Sequence, residues 1–406
     1  MKQNVLYLGK LYPKKLRETV IEDSKGKIGM SNHNFEMSLV NGFCKQENID
    51  FKCILIPGVY SFPHNNKRFY TSSEHYEYKG AEIHSVGFCN LMLVKELWST
   101  ITCFIQILKC IHKFSGNRVD IVINTPNNRF YNAIKIASWF TRKHFTKTVI
   151  IPDIPSMVTS MDKQNFIKSF LLSRSDRTVM EKTSRVDGLV LLTEAMMDFI
   201  GRPLKHIVME GIVDVENMSV SYENEDNEKQ IVLYTGTLRK IFGVMNLVNA
   251  FQQIQNNEAE LWICGSGDSK EAIEEAAQKD NRIKFFGLVD SKTALKMQRQ
   301  ATILVNPRTS EGEYTKYSFP SKTMEYLLAG KSVVINKLPG IPEEYYDYAY
   351  TPNDESVDAF AACITEVLNK DKQLREQRAA AGRRFIVEQK NSVVQVARIL
   401  ELVKSY

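Results

Sequence analysis

A chain of 406 residues with 43% hydrophobic and 25% charged residues is too long for one core of ordinary size and too apolar for a disordered or fibrous class, so two globular domains are expected. Its seven cysteines, an odd number without a CxxC pair, argue against a disulfide framework or zinc site and for reduced thiols in a cytoplasmic chain. The net charge of +6 is uneven: residues 1–210 hold 29 Lys and Arg against 19 Asp and Glu, the remainder 24 against 28. A basic first half suits nucleic acid, an anionic bilayer or a pyrophosphate-bearing substrate, and is equally compatible with a solvated surface.

The first residues, MKQNVLYLGK, lack the apolar run of a signal peptide and read as a strand at Val5–Leu8. Further strands are expected at Phe51–Leu55, Ile121–Ile123, Thr148–Ile151 and Gly188–Leu192, with amphipathic helices near 33–46, 91–114, 129–144 and 162–181. The most apolar of these helices, 91–114, is interrupted by Lys95, Glu96 and Lys109 and does not read as a membrane span. Residues 213–230 are polar and acidic and form the best linker. Strands then resume as IVLYTG, AELWICGSG, RIKFFG, ATILVNP and KSVVIN, with helices between them, and the end of the chain is helical.

This alternation predicts an α/β fold of two doubly wound, Rossmann-like domains facing a central cleft. The first spans 1–212 and the second 231–385, with 386–406 as a C-terminal helix able to pack back on the first. Ligands are expected at the carboxyl ends of the strands.

Three stretches carry chemistry. In YTGTLRKIFGVMNL a strand ends at Gly236 and a short loop presents Arg239 and Lys240 before a helix. A glycine turn lets backbone amides approach an anion, and paired cations suit a diphosphate; two solvated loop cations are the plainer alternative. In LWICGSGD, Gly265 and Gly267 follow a strand, as an anion loop or a tight turn would. In FPSKTMEYLLAGKSVV, Ser321 is expected to cap a helix that ends before Gly330. Lys322 sits at the wrong end for the helix dipole, and Glu325 lies one turn on. Either a bound phosphate and sugar hydroxyls occupy this pair, or the two form a surface ion pair.

These stretches, with FFGLVD and ILVNPR, resemble the nucleotide-sugar glycosyltransferases of the GT-B fold, most closely glycosyltransferase family 4 (group 1). The likeness is good over about 186–370 and looser before. It implies a retaining hexosyltransferase that moves a sugar from a nucleotide-sugar, a UDP-sugar by expectation, to a glycan or lipid-linked acceptor; with no DxD motif in a strand context and no His/Cys cluster, no metal and no cofactor is expected. Arg239 and Lys240 would neutralise the departing diphosphate and Glu325 would bind the ribose. Ser321, Lys322 and Thr323 would lie near the phosphates, Gly236, Gly265 and Gly267 would line the donor loops, and Leu288 would lie beside the base.

GKIGMSNHNFEMSLVNGF resembles the family's glycine-rich loop, which places Gly29, Ser31 and Asn32 near phosphates and acceptor, with His33 equally at home on the surface. Asp153 follows a strand and could sit by the reacting centre. One departure stands out. The family often carries a second Glu eight residues before the ribose-binding one, where this chain has Tyr317. Glu311 or Glu313 could substitute.

The setting implied is synthesis of a surface polysaccharide or glycolipid at the inner face of a membrane. The helices bearing Trp98 and Phe104, and Trp139 and Phe140, suit peripheral contact with anionic lipid. Two alternatives remain at this level: a non-catalytic GT-B partner subunit and a sugar-nucleotide 2-epimerase of the same shape. No nucleic-acid-binding module is recognisable.

Overall fold

The computed structural model describes residues 2–12, 17–24, 30–70, 74–152, 177–215 and 229–406. Two compact units are present: Met1–Asp214 together with Asn391–Tyr406, and Val215–Lys390.

The first unit is built on an eight-stranded sheet. Its strands are β1 (Gln3–Gly9), β2 (Ile49–Leu55), β4 (Glu74–Tyr78), β5 (Ala81–Ser85), β7 (Arg118–Asn124), β8 (His144–Ile151), β9 (Gly188–Leu191) and β10 (Lys205–Val208). A separate two-stranded ribbon joins β3 (Phe69–Tyr70) to β6 (Phe88–Cys89). The sheet order is β10-β9-β8-β7-β1-β2-β5-β4, parallel throughout except for the edge strand β4. Its central strands are near-continuous runs of Val, Ile and Leu because helices cover both faces. The order reverses at β1, which pairs with β2 on one side and β7 on the other. At such a switch point neighbouring crossovers diverge and leave a crevice at the strands' carboxyl ends.

The helix Ser392–Lys404 completes this unit's core. Val396, Ile399, Leu400 and Val403 join Leu39, Val40 and Phe43 of the helix Met30–Cys44. The two helices touch so closely that a Cβ on Gly42 would lie 2.2 Å from the Ser392 carbonyl oxygen. Arg398 and Gln395 donate to the Val208 and Gly211 carbonyls.

Three features differ from the sequence reading. The helix expected over 129–144 spans Asn128–Trp139, because β8 already begins at His144 and needs the intervening residues as its connection. The hairpin β4–β5 was not foreseen. Its polar alternation hides it, although Lys79 and Gly80, at φ 48 and 82, form the two-residue left-handed turn that hairpins favour. Strand β10 was also not foreseen. Most of the helix expected over 162–181, and most of the 213–230 linker, lie outside the described residues.

The second unit carries a five-stranded, wholly parallel sheet of β11 (Gln230–Thr235), β12 (Ala259–Cys264), β13 (Ile283–Gly287), β14 (Ile303–Asn306) and β15 (Ser332–Ile335), in the order β13-β12-β11-β14-β15. Its switch point lies between β11 and β14. Beyond β11 and β12, two loops pack backbone on backbone. Gly236 N–H donates to Cys264 O, Leu238 N–H to Ser266 O, and Ser269 N–H to Leu238 O.

Only glycine permits this approach. A Cβ on Gly265, at φ +147, would lie 1.8 Å from the Gly236 oxygen, and one on Gly267 would lie 2.4 Å from Leu238 backbone atoms. Gly265→Ala is therefore expected to cost more than about 2 kcal/mol of unfolding free energy. Gly80→Ala, at φ +82 with open space around it, should cost only about 1 kcal/mol. Urea denaturation of both variants checks this, and equal losses would mean that the loops do not depend on the close approach.

Candidate functional site

In the second unit the loop after β11 leads through Arg239 into a short 3-10 turn, Lys240–Phe242, and then the helix Val244–Gln253. Lys240 N–H donates to the Asp268 carboxylate at 2.8 Å, so the loop after β12 braces the cationic one. Among the described residues, neither the Arg239 nor the Lys240 side chain has a hydrogen-bond or ion-pair partner; Arg239 is half-buried and Lys240 exposed. Gly243, at φ +74, could not carry a Cβ, which would lie 2.2 Å from the Pro307 oxygen. The cationic loop thus rests on the loop after β14.

The helix Ser321–Leu328 starts directly after Pro320, and no side chain caps it. The expected Ser321 cap does not form, because Ser321 is itself the first helical residue and is exposed. Gly330 at φ +69 follows the Ala329 cap as expected. Thr323 is fully buried, facing Asn306 at 3.4 Å. Lys322 Nζ lies 2.7 Å from Glu325 Oε1. The anion that dipole logic asks for near this lysine is thus present within the helix itself.

The same Glu325 oxygen accepts from Gln298 Nε2 at 2.6 Å. Gln298 is fully buried and also donates to Thr235 Oγ1 at 3.1 Å. The bonds from Gln298 and Lys322 both fall on Oε1, which orients the carboxylate and leaves Oε2 with its acceptor capacity. Gln298 and Asp268 were not singled out from sequence; Gln298 is 27 residues from its partner and carries no local signature.

Leu288 is 79% exposed, directly after Gly287 at φ +66. Glu311 and Glu313 are both exposed, and Glu313 has Lys316 at 3.9 Å. Tyr317 is half-buried at the end of that turn. Arg308, missed in the sequence, lies between the rings of Phe242 and Tyr314, at 5.3 and 4.6 Å, and bonds Ser318 Oγ at 2.8 Å.

In the first unit a cavity of about 370 Å³ opens at the β1/β7 switch point. Asn32 lines it from an exposed position, and Ser31 lies in the first turn of Met30–Cys44. Gly29 and Asp153 lie outside the described residues. His33 is buried and stacks on Tyr12 at 5.3 Å, not on the surface. The group that sequence reading missed is Glu36, which is 3% exposed. Its two oxygens accept from Lys10 N–H at 3.0 and 2.9 Å, and Asn124 Nδ2 donates to the first. Burial pushes its carboxyl up to about 7 against these bonds.

His75, Glu82 and His84 come together on the β4–β5 hairpin, with ligand atoms within 4.8 Å of one another. Glu82 is already held by Lys113 at 2.7 Å and Lys52 at 3.1 Å. Two ammonium groups there oppose a cation.

Residues 229–370 match the family described as Glycosyl transferases group 1. WcaI of Escherichia coli (strain K12), whose name describes a glycosyl transferase of colanic acid biosynthesis, is 27% identical over 164 residues. That alignment takes in 38% of this chain and 39% of WcaI. Among solved structures, HepE of Anabaena in complex with UDP is similar at a TM-score of 0.61 and 15% identity, covering 100% of both chains. TarM, known from S. aureus, is similar at 0.63 and 11% identity over 99% of both. The resemblance to group 1 glycosyltransferases is thus shown for the second unit, and the fold of the chain is that of the GT-B glycosyltransferases.

The Glu36 carboxyl generates a pH prediction. Its folded value, raised above the ordinary 4.5 to about 7, makes the native state hold a proton that the unfolded chain has released. Its contribution is therefore full below about pH 4.5 and is lost as pH rises through 7, a fall of about 3 kcal/mol. Glu36→Gln should flatten the decline in stability between pH 5 and 8, read from urea midpoints. A decline as steep as in the wild type would remove Glu36 as its source.

Proposed function

We propose that the protein is a retaining glycosyltransferase that takes a UDP-sugar and glycosylates a hydroxyl of a glycan or lipid-linked saccharide in polysaccharide or glycolipid synthesis. The observation that carries this reading is the second unit's switch point. There two cations without a partner among the described residues, Arg239 and Lys240, share one sheet edge with an oriented carboxylate, Glu325. A diphosphate needs the first pair and a ribose diol the second. The group 1 match over the same residues, and the UDP held by HepE, support the same chemistry.

In this reading bond breaking places negative charge on the departing diphosphate. Arg239 and Lys240 meet that charge from a loop whose backbone is already fixed by packing, so the charge is met without moving the loop. Glu325 Oε2 takes the ribose hydroxyls while Oε1 remains tied to Gln298 and Lys322. Departure and attack on one face of the sugar would retain its configuration. The 2-epimerase alternative would need a further acid–base pair beside the sugar. Glu311 and Glu313, both exposed, do not supply one.

An apolar surface in the first unit supports work at a bilayer. On the helix Met92–Lys113, Val94, Leu97, Trp98, Ile101 and Ile105 are exposed at helical spacing, and the neighbouring Trp139 and Phe140 are 71% and 67% exposed. Lys135 lies over Trp139 at 5.8 Å, so a cation flanks the apolar stripe as anionic lipid requires. Among the described residues no helix is long and apolar enough to cross a membrane.

Glu325→Ala and Lys240→Ala should each weaken UDP binding by about 1–3 kcal/mol, roughly 5- to 150-fold, measured by calorimetry. Wild-type affinity in both would overturn the site. Trp139→Ser with Leu97→Ser should abolish co-sedimentation with vesicles of anionic lipid at low salt while UDP binding persists. Sedimentation equal to that of the unaltered protein would show that the stripe is not the contact.

A further inference from the structure

The cavity at the β1/β7 switch point holds positive charge that the donor chemistry leaves unused. Lys10 directly follows β1 and Arg129 lies at the start of the helix that follows β7, and both line the cavity. Lys10 gives its backbone N–H to Glu36, but among the described residues its ammonium has no hydrogen-bond or ion-pair partner. The Arg129 side chain is 13% exposed; its Nε donates to Asn127 Oδ1 at 3.3 Å and lies 3.5 Å from the exposed Glu96, while its Nη1 is buried without a hydrogen-bond partner. Behind them Lys95, 5% exposed, gives its ammonium to the Val59 carbonyl at 2.5 Å.

The cations feel one another. Burial first, and then the charge of Arg129, lower both Lys10 and Lys95 to about 8. The one carboxylate in the lining, Glu36, offsets Lys10 only in part. It is pushed up to about 7 by burial, and both oxygens are already bonded.

Two local features point the same way. Arg129 stands in the first turn of the helix Asn128–Trp139, where a cation opposes the helix dipole unless an anion lies in front of it. Thr125, directly after β7 and in the lining, has φ +66. A β-branched residue there is strained by about 1–3 kcal/mol, and such strain collects at ligand sites. A cavity for a neutral sugar would be expected to present donors and acceptors in balance. This one holds the neutral groups of Asn32, Tyr60 and Thr125, but beside them it presents the Lys10 ammonium and the buried Arg129 Nη1, two cationic donors with no hydrogen-bond partner among the described residues.

We infer that this cavity receives an anionic group of the acceptor, a phosphate or a carboxylate gripped between Lys10 and Arg129, so that the acceptor is an acidic or phosphate-bearing saccharide rather than a neutral one. The word acceptor rests on the transferase reading above; the anion site does not.

The full chain should be titrated calorimetrically with inorganic phosphate, glucose 1-phosphate, glucuronate and, as neutral control, glucose. At least one anion should bind where glucose does not. Lys10→Met and Arg129→Gln should each weaken it tenfold or more, Arg129→Lys should lose less, and circular dichroism should confirm that all variants fold. The preferred anion tells phosphate from carboxylate. Lys240→Ala, in the other unit, should leave this binding in place, and UDP affinity should stay within threefold in Lys10→Met and Arg129→Gln. Anions that bind no better than glucose, or equally well to Lys10→Met, overturn the site. Loss of UDP affinity in Lys10→Met would give the anion to the donor and overturn the acceptor assignment. Absence of UDP binding in the unaltered protein would instead sink the transferase reading and leave an anion site.

Discussion

Parallel strands cannot be joined by tight turns, and the chemistry proposed for this chain depends on that constraint. Each strand must be followed by a crossover, usually helical, before the next can pair, so all the loops that follow strands emerge on one edge of the sheet. Where the order reverses, at β1/β7 and β11/β14, neighbouring loops part. The cavity lined by Lys10 and Arg129 follows the first reversal, and the loop bearing Arg239 and Lys240 and the helix bearing Glu325 follow the second. Glycines allow these loops to lie backbone on backbone, so the charged side chains stand on a rigid support.

The two units treat charge in opposite ways. In the second, the carboxylate is the organised group: Lys322 and Gln298 hold one oxygen of Glu325 and define where the other points. Lys322, which looked misplaced against the dipole, is stabilised by this partner three residues on. In the first unit the Lys10 ammonium and Arg129 Nη1 have no hydrogen-bond partner among the described residues, and the carboxylate beside them is occupied by backbone and amide donors. A diol fits the first arrangement and an anion the second.

Much of the fold was legible because a buried parallel strand has a plain signature. Val5–Leu8 and Ile121–Ile123 are apolar runs that only a sheet covered on both faces would bury. The cationic loop was legible for a similar reason, since it follows a strand and precedes a helix. The rest depends on distance in space. Nothing near Gln298 announces Glu325, and nothing near Glu36 announces Asn124, 88 residues away. Glu36 also sits on a helix whose neighbours look like ordinary core. The β4–β5 hairpin was missed because an edge strand with one wet face alternates polar and apolar residues. His33 was left open to the surface because stacking on Tyr12 is a tertiary fact. Ser321 looked like a cap from its residue type, whereas the helix had already begun there.

The helix Ser392–Lys404 belongs to the first unit, yet it follows the whole of the second in sequence. It fills the groove beside Leu39 and Phe43 and ties down the carbonyls after β10. During synthesis, then, the unit that is translated first is the one completed last. Its apolar groove waits, uncovered, while Val215–Lys390 is made and folds, and a chaperone has its longest opportunity on that surface.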